Sequence, residues 1–181
     1  MSRFHLVEPS SASGKAKDLL GAVKGKLGIV PNMIKVMANS PAVLEAYLGF
    51  SGALGKGLLD AKTRERLALV TAQDNRCDYC LSAHTTIGKM VGLQPEQIAE
   101  SRQGIGGSDR GTAALTFAKR LLETRGQINE TDLAAVRAAG FSDAEIVEII
   151  AHVALNVLTN YLNIASDVEI DFPKVSFASA R

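Results

Sequence analysis

The sequence predicts an all-α fold: one compact helical domain containing an internally duplicated helical unit. Three observations point there. Hydrophobic residues make up 46% of the 181-residue chain, but aromatics only 5%, and Trp is absent. A core of that composition is built from Ala, Leu, Ile and Val, which favours helix packing over a β-sandwich. Helix start and stop signals follow one another almost without a break from residue 16 onward. Alternation of the strand type is confined to the tail, where Val168, Ile170 and Phe172 are separated by acidic residues.

Each element has its own reason. Residues 1–14 are Ser-rich, carry Pro9 and Gly14, and read as an N-terminal arm ahead of a domain spanning 15–168 and a tail spanning 169–181. Residues 16–26 are amphipathic and stop at Gly28. Pro31 and Asn32 open a short helix through Met37. Ser40 and Pro41 supply an N-cap and a proline at the first helical position, leading into Val43, Leu44, Tyr47 and Leu48. Gly49, Gly52, Gly55 and Gly57 are then expected to loosen the chain. Asp60 caps a helix over 61–73, which Asp74 and Asn75 interrupt. A helix from about Cys77 ends at Gly92, and Pro95 starts a short one through Glu100. Ser108 and Asp109 cap a helix through Glu123 that Gly126 stops, and 129–139 form another, ended by Gly140. Ser142 caps a long apolar helix to about Leu158, with a further segment to Asp167.

That last helix is apolar almost all round, so it must be buried in a core or an oligomer. Glu148 and His152 are one turn apart and are expected to form a satisfied pair. Asn156, Asn160 and Asn163 are expected to make interhelical hydrogen bonds. The tail is expected to pack against a neighbouring subunit. Overlaying the two capped helices places Asp60 on Asp143, Glu65 on Glu148 and Ala68 on Ala151, and continues to set Cys77 on Asn160, Cys80 on Asn163 and His84 on Asp167. The helical pattern occurs twice; the thiols occur once.

Charge excludes further classes. Lys plus Arg number 20 against 19 Asp plus Glu, a net charge of +1, without the basic excess of a nucleic-acid binder. The most apolar run, 146–158, is broken by Glu148, His152 and Asn156 and falls short of a membrane span. The N-terminus lacks the apolar core of a signal peptide. The expectation is a soluble cytoplasmic protein with neither nucleic acid nor membrane as partner. Residues 52–57 superficially suggest a phosphate loop, but the spacing is wrong and no Ser or Thr follows Lys56.

The chemistry concentrates in one segment, Glu65 to His84. If Cys77 begins a helix, Cys80 and His84 follow on the same face, three and seven residues on. A dithiol at this spacing can close a disulfide with little backbone movement, and a helix N-terminus stabilises a thiolate. His84, one turn after Cys80, can accept or return a proton. Glu65 shares a helix face with Leu69 and Ala72, which predicts partial burial and a need for a partner, His84 or a water. A surface Glu65 paired with Arg64 or Arg66 is the bland alternative. A structural zinc site takes four ligands, and the chain has two Cys and three His, of which His5 and His152 are remote. A haem attachment site needs His where Leu81 stands. Dithiol redox chemistry fits best; zinc and two inert buried thiols are the alternatives.

Glu65, eleven residues, Cys77-Asp-Tyr-Cys80, three residues, His84 resembles the signature of the alkylhydroperoxidase D-like proteins of the carboxymuconolactone decarboxylase superfamily. Residues 27–32, Ser40-Pro41, Arg64-Glu65 and 75–80 are similar to its peroxidase-related branch, and the resemblance covers roughly residues 25–170. It implies an all-α homo-oligomer, a trimer or hexamer, working without a prosthetic group. It implies a thiol peroxidase whose partners are a hydroperoxide substrate and a dithiol reductant. Cys80 would be the peroxide-attacking thiol and Cys77 the resolving one, with Glu65 and His84 as a proton relay. The chain departs from the characterised hydroperoxidases at Tyr79, where they carry a second His; a phenol is a poor base at neutral pH, so Tyr79 is at most an accessory hydrogen-bond donor. A protein disulfide reductase or redox sensor is the alternative function. A lactone decarboxylase fits less well, because that reaction has no need of a dithiol.

Overall fold

The computed structural model describes residues 2–180; Met1 of the arm and Arg181 of the tail lie outside the described residues. Among the described residues the chain forms α1 (Gly14–Leu27), α2 (Asn32–Met37), α3 (Pro41–Leu54), α4 (Ala61–Asp74), α5 (Asp78–Met90), α6 (Pro95–Arg102), α7 (Asp109–Thr124), α8 (Glu130–Ala138) and α9 (Asp143–Ser166), then a short 3-10 turn (Phe177–Ala180). The caps lie where the sequence puts them. Ser40, Asp60, Ser108 and Ser142 each accept a backbone N–H from the first turn of the helix that follows.

Helix α4 is the hub. Seven consecutive residues from Arg66 to Ala72 are buried, so the helix has no solvent face over that stretch. It packs against α5, α6, α7 and α9. One core lies between α4, α7, α8 and α9 around Leu67, Leu115 and Ile149. A second lies around Leu69 and Leu81 under the tail, and a third gathers α1, α2 and α3 around Leu20 and Leu44.

Three expectations are corrected. The glycines do not loosen α3, which runs through Gly49 and Gly52 to Leu54. The packing of Leu44, Tyr47 and Leu48 on α1 and α2 outweighs the cost of about 1 kcal/mol per helical glycine. Helix α9 does not pause at Leu158 but continues for 24 residues. Its polar residues bond within the helix instead of breaking it: Asn156 Nδ2 donates to the His152 carbonyl at 2.8 Å, and Thr159 Oγ1 to that of Asn156 at 3.0 Å. At that length α9 is apolar enough to cross a membrane, yet half of the apolar stretch is buried inside the protein. It also holds buried His152, Asn156, Asn160 and Asn163, as a core helix does.

The tail forms no strand, because an all-helical body offers no sheet edge for its backbone to pair with. It lies over α5 of its own chain: the Val175 amide donates to Ser82 Oγ at 2.9 Å, the Phe177 amide to Asp78 Oδ1 at 2.8 Å, and Arg102 to the Ser176 carbonyl at 2.8 Å. The arm is tied down as well, through the Arg3 amide to the Ser166 carbonyl and the Val7 amide to that of Lys35.

The two overlaid segments part where the first copy breaks, at Arg76 and the extended Cys77. Where α9 runs straight on, Arg76 adopts φ 56° and splits the first copy into α4 and α5. Two positions matched in the overlay lie in contact, Asn163 Nδ2 donating to Cys80 Sγ at 3.3 Å.

Candidate active site

The break at Arg76 sets up the thiols. The Cys77 amide closes back onto the Ala72 carbonyl at 2.9 Å, which turns the chain and leaves Cys77 as the N-cap of α5. Its Sγ accepts the Cys80 amide at 3.3 Å. Cys80 therefore stands in the first turn, where unpaired N–H groups favour negative charge on sulfur. The two cysteines are joined as a disulfide, with Cα atoms 5.3 Å apart, an ordinary separation for such a bond. Both are buried.

Beside them lies a cavity of about 270 Å³ walled by residues of α2, α3, α4, α5 and α9. Cys80 lines it and Cys77 does not, so the two sulfurs are unequal: one faces the space a ligand would occupy, and the other sits behind it. The three residues of the expected shared face thus separate. Cys80 and His84 line the cavity, while Cys77 caps the helix.

Glu65 and His84 come together on the same lining. His84 Nδ1 lies 2.8 Å from Glu65 Oε2, with both side chains about one-fifth exposed or less. The imidazole offsets the cost of partly burying the carboxylate.

Tyr79 is buried, with its ring edge-on to Phe172 at 5.7 Å. Its oxygen accepts the Met33 amide at 3.2 Å. Burial pushes its phenol far above the ordinary value; the bond from Met33 opposes this, and Asp171 adds to it. The tyrosine ties α2 and the tail to the cavity wall.

Glu148 and His152 do not pair. Both Glu148 oxygens accept the Leu58 amide, at 2.9 and 2.8 Å, and one accepts the Leu59 amide at 3.0 Å. A Cβ on Gly57 would fall 2.6 Å from that carboxylate, so a larger residue there would have to push it off the two amides. His152 is left lining the cavity, 6% exposed, with no partner for its buried Nε2. Burial lowers its pKa from 6.5, and the nearby charge of Arg64 lowers it further, against Glu148 and Glu65.

Of the three asparagines, Asn160 bonds across to Asn75 at 2.9 Å and Asn163 to Cys80, while Asn156 bonds only to its own helix. Sequence reasoning missed Asn163 as a sulfur partner, and missed Arg64 and Tyr47 as cavity lining. The overlay of Cys80 on Asn163 was the available signal for the first; nothing local marked the others. Among the described residues, no group of three or more His, Cys, Asp or Glu could hold a metal ion.

Comparison with known proteins follows the same lines. The carboxymuconolactone decarboxylase family matches residues 41–124, which runs from the start of α3 to the end of α7. An uncharacterized peroxidase-related protein from Ralstonia eutropha JMP134, described as an alkylhydroperoxidase AhpD core, is 27% identical with a TM-score of 0.83, over 94% of this chain and 92% of its own. The debrominase Bmp8, solved in complex with 2,3,4-tribromopyrrole, shares the fold at 18% identity with a TM-score of 0.76, over 99% of this chain and 97% of its own. An uncharacterized protein of Haemophilus influenzae is 49% identical over 45 residues. That match spans 24% of this chain and only 40% of the length of that curated relative.

Proposed function

We propose that this chain, whose residues 41–124 match the carboxymuconolactone decarboxylase family and whose fold is that of the alkylhydroperoxidase D-like proteins, is a thiol-dependent peroxidase cycling between the Cys77–Cys80 dithiol and disulfide. One observation carries this reading: Cys80 is the sulfur that lines the cavity, with the Glu65–His84 pair on the same lining and Cys77 bonded to it from behind.

In the reduced protein the Cys80 thiolate attacks the distal oxygen of ROOH. The O–O bond breaks, Cys80 becomes a sulfenic acid, and the alkoxide leaves as ROH with a proton from His84. Glu65 Oε2, 2.8 Å from His84 Nδ1, holds and orients the imidazole. The buried Asn163 Oδ1, which has no hydrogen-bond partner, can accept the peroxide or sulfenic O–H. The Cys77 thiol then condenses with the sulfenic acid, giving the disulfide and water. A dithiol reductant restores both thiols by exchange. The sum is ROOH plus a dithiol giving ROH, water and the oxidised reductant.

The burial of Cys80 bears on the alternative of a protein disulfide reductase. A sulfur 3% exposed at a cavity wall is reached by a small molecule more readily than by a folded protein's disulfide. The debrominase is a reason to assay halogenated aromatics too. Reductive removal of bromide by a dithiol needs the same two electrons, so it is the second reading.

The test is thiol titration with intact mass, before and after one equivalent of cumene hydroperoxide is added to the reduced protein. Loss of both thiols, reversed by a dithiol, is expected. Cys80→Ser should abolish turnover, and Cys77→Ser should stop after one oxidation as a sulfenic acid trapped by dimedone. Full steady-state activity in both variants would exclude the scheme.

A further inference from the structure

Arg64 and His152 are two buried or half-buried cationic or donor groups that the peroxidase scheme leaves unused, and both line the cavity. The carboxylates near them are engaged elsewhere: Glu148 by the Leu58 and Leu59 amides, Glu65 by His84. Among the described residues no carboxylate lies within ion-pair distance of Arg64, whose one hydrogen bond there goes to the Leu59 carbonyl. His152 Nε2 is fully buried without a partner. Leaving the His152 nitrogen unpaired costs about 1–3 kcal/mol, and Arg64 brings a charge without a carboxylate partner among the described residues, so this end of the cavity is organised for something that arrives.

We propose that Arg64 and His152 form an anion-binding end of the cavity that takes the carboxylate of the substrate, making the preferred peroxide that of a small organic acid with an apolar body. The proposal rests on the peroxidase reading for the reacting group, and on the cavity alone for the carboxylate.

Helix geometry separates this end from the sulfur. His152 and Asn163 lie on one face of α9, eleven residues apart, which at 1.5 Å per residue is about 16 Å. Asn163 touches Cys80. His152 is therefore too far along the helix to exchange a proton at the sulfur, and its unpartnered nitrogen serves recognition instead. Along α9 the lining between the two ends is mixed, Leu155 with Asn156 and Thr159, and α4 and α5 add the apolar Ala68 and Ile87. The volume of about 270 Å³ falls below the roughly 300–1,000 Å³ of sites for drug-sized ligands, which suits a short acyl chain.

The test measures binding to the disulfide form by calorimetry, with octanoate, 1-octanol and acetate as probes. Octanoate should bind at least about tenfold tighter than octanol, the worth of one charge-assisted hydrogen bond, and tighter than acetate, which lacks the apolar body. Arg64→Met should bring octanoate to the octanol level, and Arg64→Lys should restore part of the difference. Octanoate should also shift the His152 ring resonances. In turnover, the preference for a hydroperoxy acid over cumene hydroperoxide should fall about tenfold in Arg64→Met, through KM and not kcat. Equal binding of octanoate and octanol, or of acetate and octanoate, overturns the proposal. Loss of the octanoate preference in a variant whose helicity has also collapsed is resolved by the Lys variant, whose failure to recover any preference counts against the site. No step of the binding test needs peroxide, so it stands even if the protein proves not to be a peroxidase.

Discussion

Arg64, Glu65 and Arg66 are consecutive charges, and each meets a different fate because each step along a helix turns the side chain by about 100°. Arg66 points inward, 7% exposed, and donates to Ser101 Oγ at 3.1 Å. Glu65 reaches His84, and Arg64 lines the cavity. Glu65→Gln keeps a hydrogen-bonding group beside the imidazole but removes the carboxylate that orients it. Peroxide turnover should fall by about 10²-fold, the usual worth of a positioned acid–base group, with thermal stability little changed. His84→Gln should cost a similar factor, and the double variant little more, because the two act as one unit. Steady-state assays with a dithiol reductant measure this; an unaltered rate in Glu65→Gln would remove the relay from the scheme.

At the scale of the element, the start of α4 decides where Glu65 stands. Asp60 accepts the Thr63 amide at 3.0 Å and the Thr63 hydroxyl at 2.6 Å. Burial raises the Asp60 carboxyl, but the bonds from Thr63 and the Lys62 amide outweigh it, and the group titrates below its ordinary 3.8. A lowered native value means that its contribution is present above that ordinary value and is lost as the pH falls through the lowered one. Asp60→Ala should cost about 1 kcal/mol at neutral pH. Asp60→Asn should retain most of the cap while flattening the loss of stability on acidification. Urea unfolding from neutral pH down to about pH 3 distinguishes the two; parallel acid profiles for wild type and Asp60→Asn would show that the cap carries no charge-dependent share.

On the whole molecule, α9 leaves an apolar stripe outside. Val147, Ile150, Leu158, Tyr161 and Ile164 are all exposed, Val147 and Tyr161 by more than 60%. We propose that this stripe is covered by further copies of the chain, and that the tail is not the oligomer contact. Replacing Ile150 and Tyr161 by Glu should reduce the sedimenting mass to that of the 19.2 kDa chain without loss of helicity. Deleting residues 170–181 should leave the mass class unchanged but destabilise the protein by roughly 2–4 kcal/mol, since Phe172 and Val175 pack on the core under them. A tail deletion that dissociates the assembly while the Glu variant does not would reverse the assignment.

Local pattern sufficed for the all-helical class, the caps at Ser40, Asp60, Ser108 and Ser142, and the spacing that puts two thiols and an imidazole within two turns. Those features depend on neighbours a few residues away, and helix periodicity and capping are read at that range. The nature of the breaks was less legible. Gly49 and Gly52 look like a loop, and Leu158 like an end, until packing on α1, α2 and α4 supplies more free energy than propensity withholds. The tertiary structure alone decided which sulfur faces the cavity, that Glu148 serves the Leu58 and Leu59 amides instead of His152, and that Asn163 and Arg64 complete the lining. The Glu148 and Asn163 contacts join residues 83 to 90 positions apart. Contacts across such distances are set by how whole helices pack, and no local pattern encodes them.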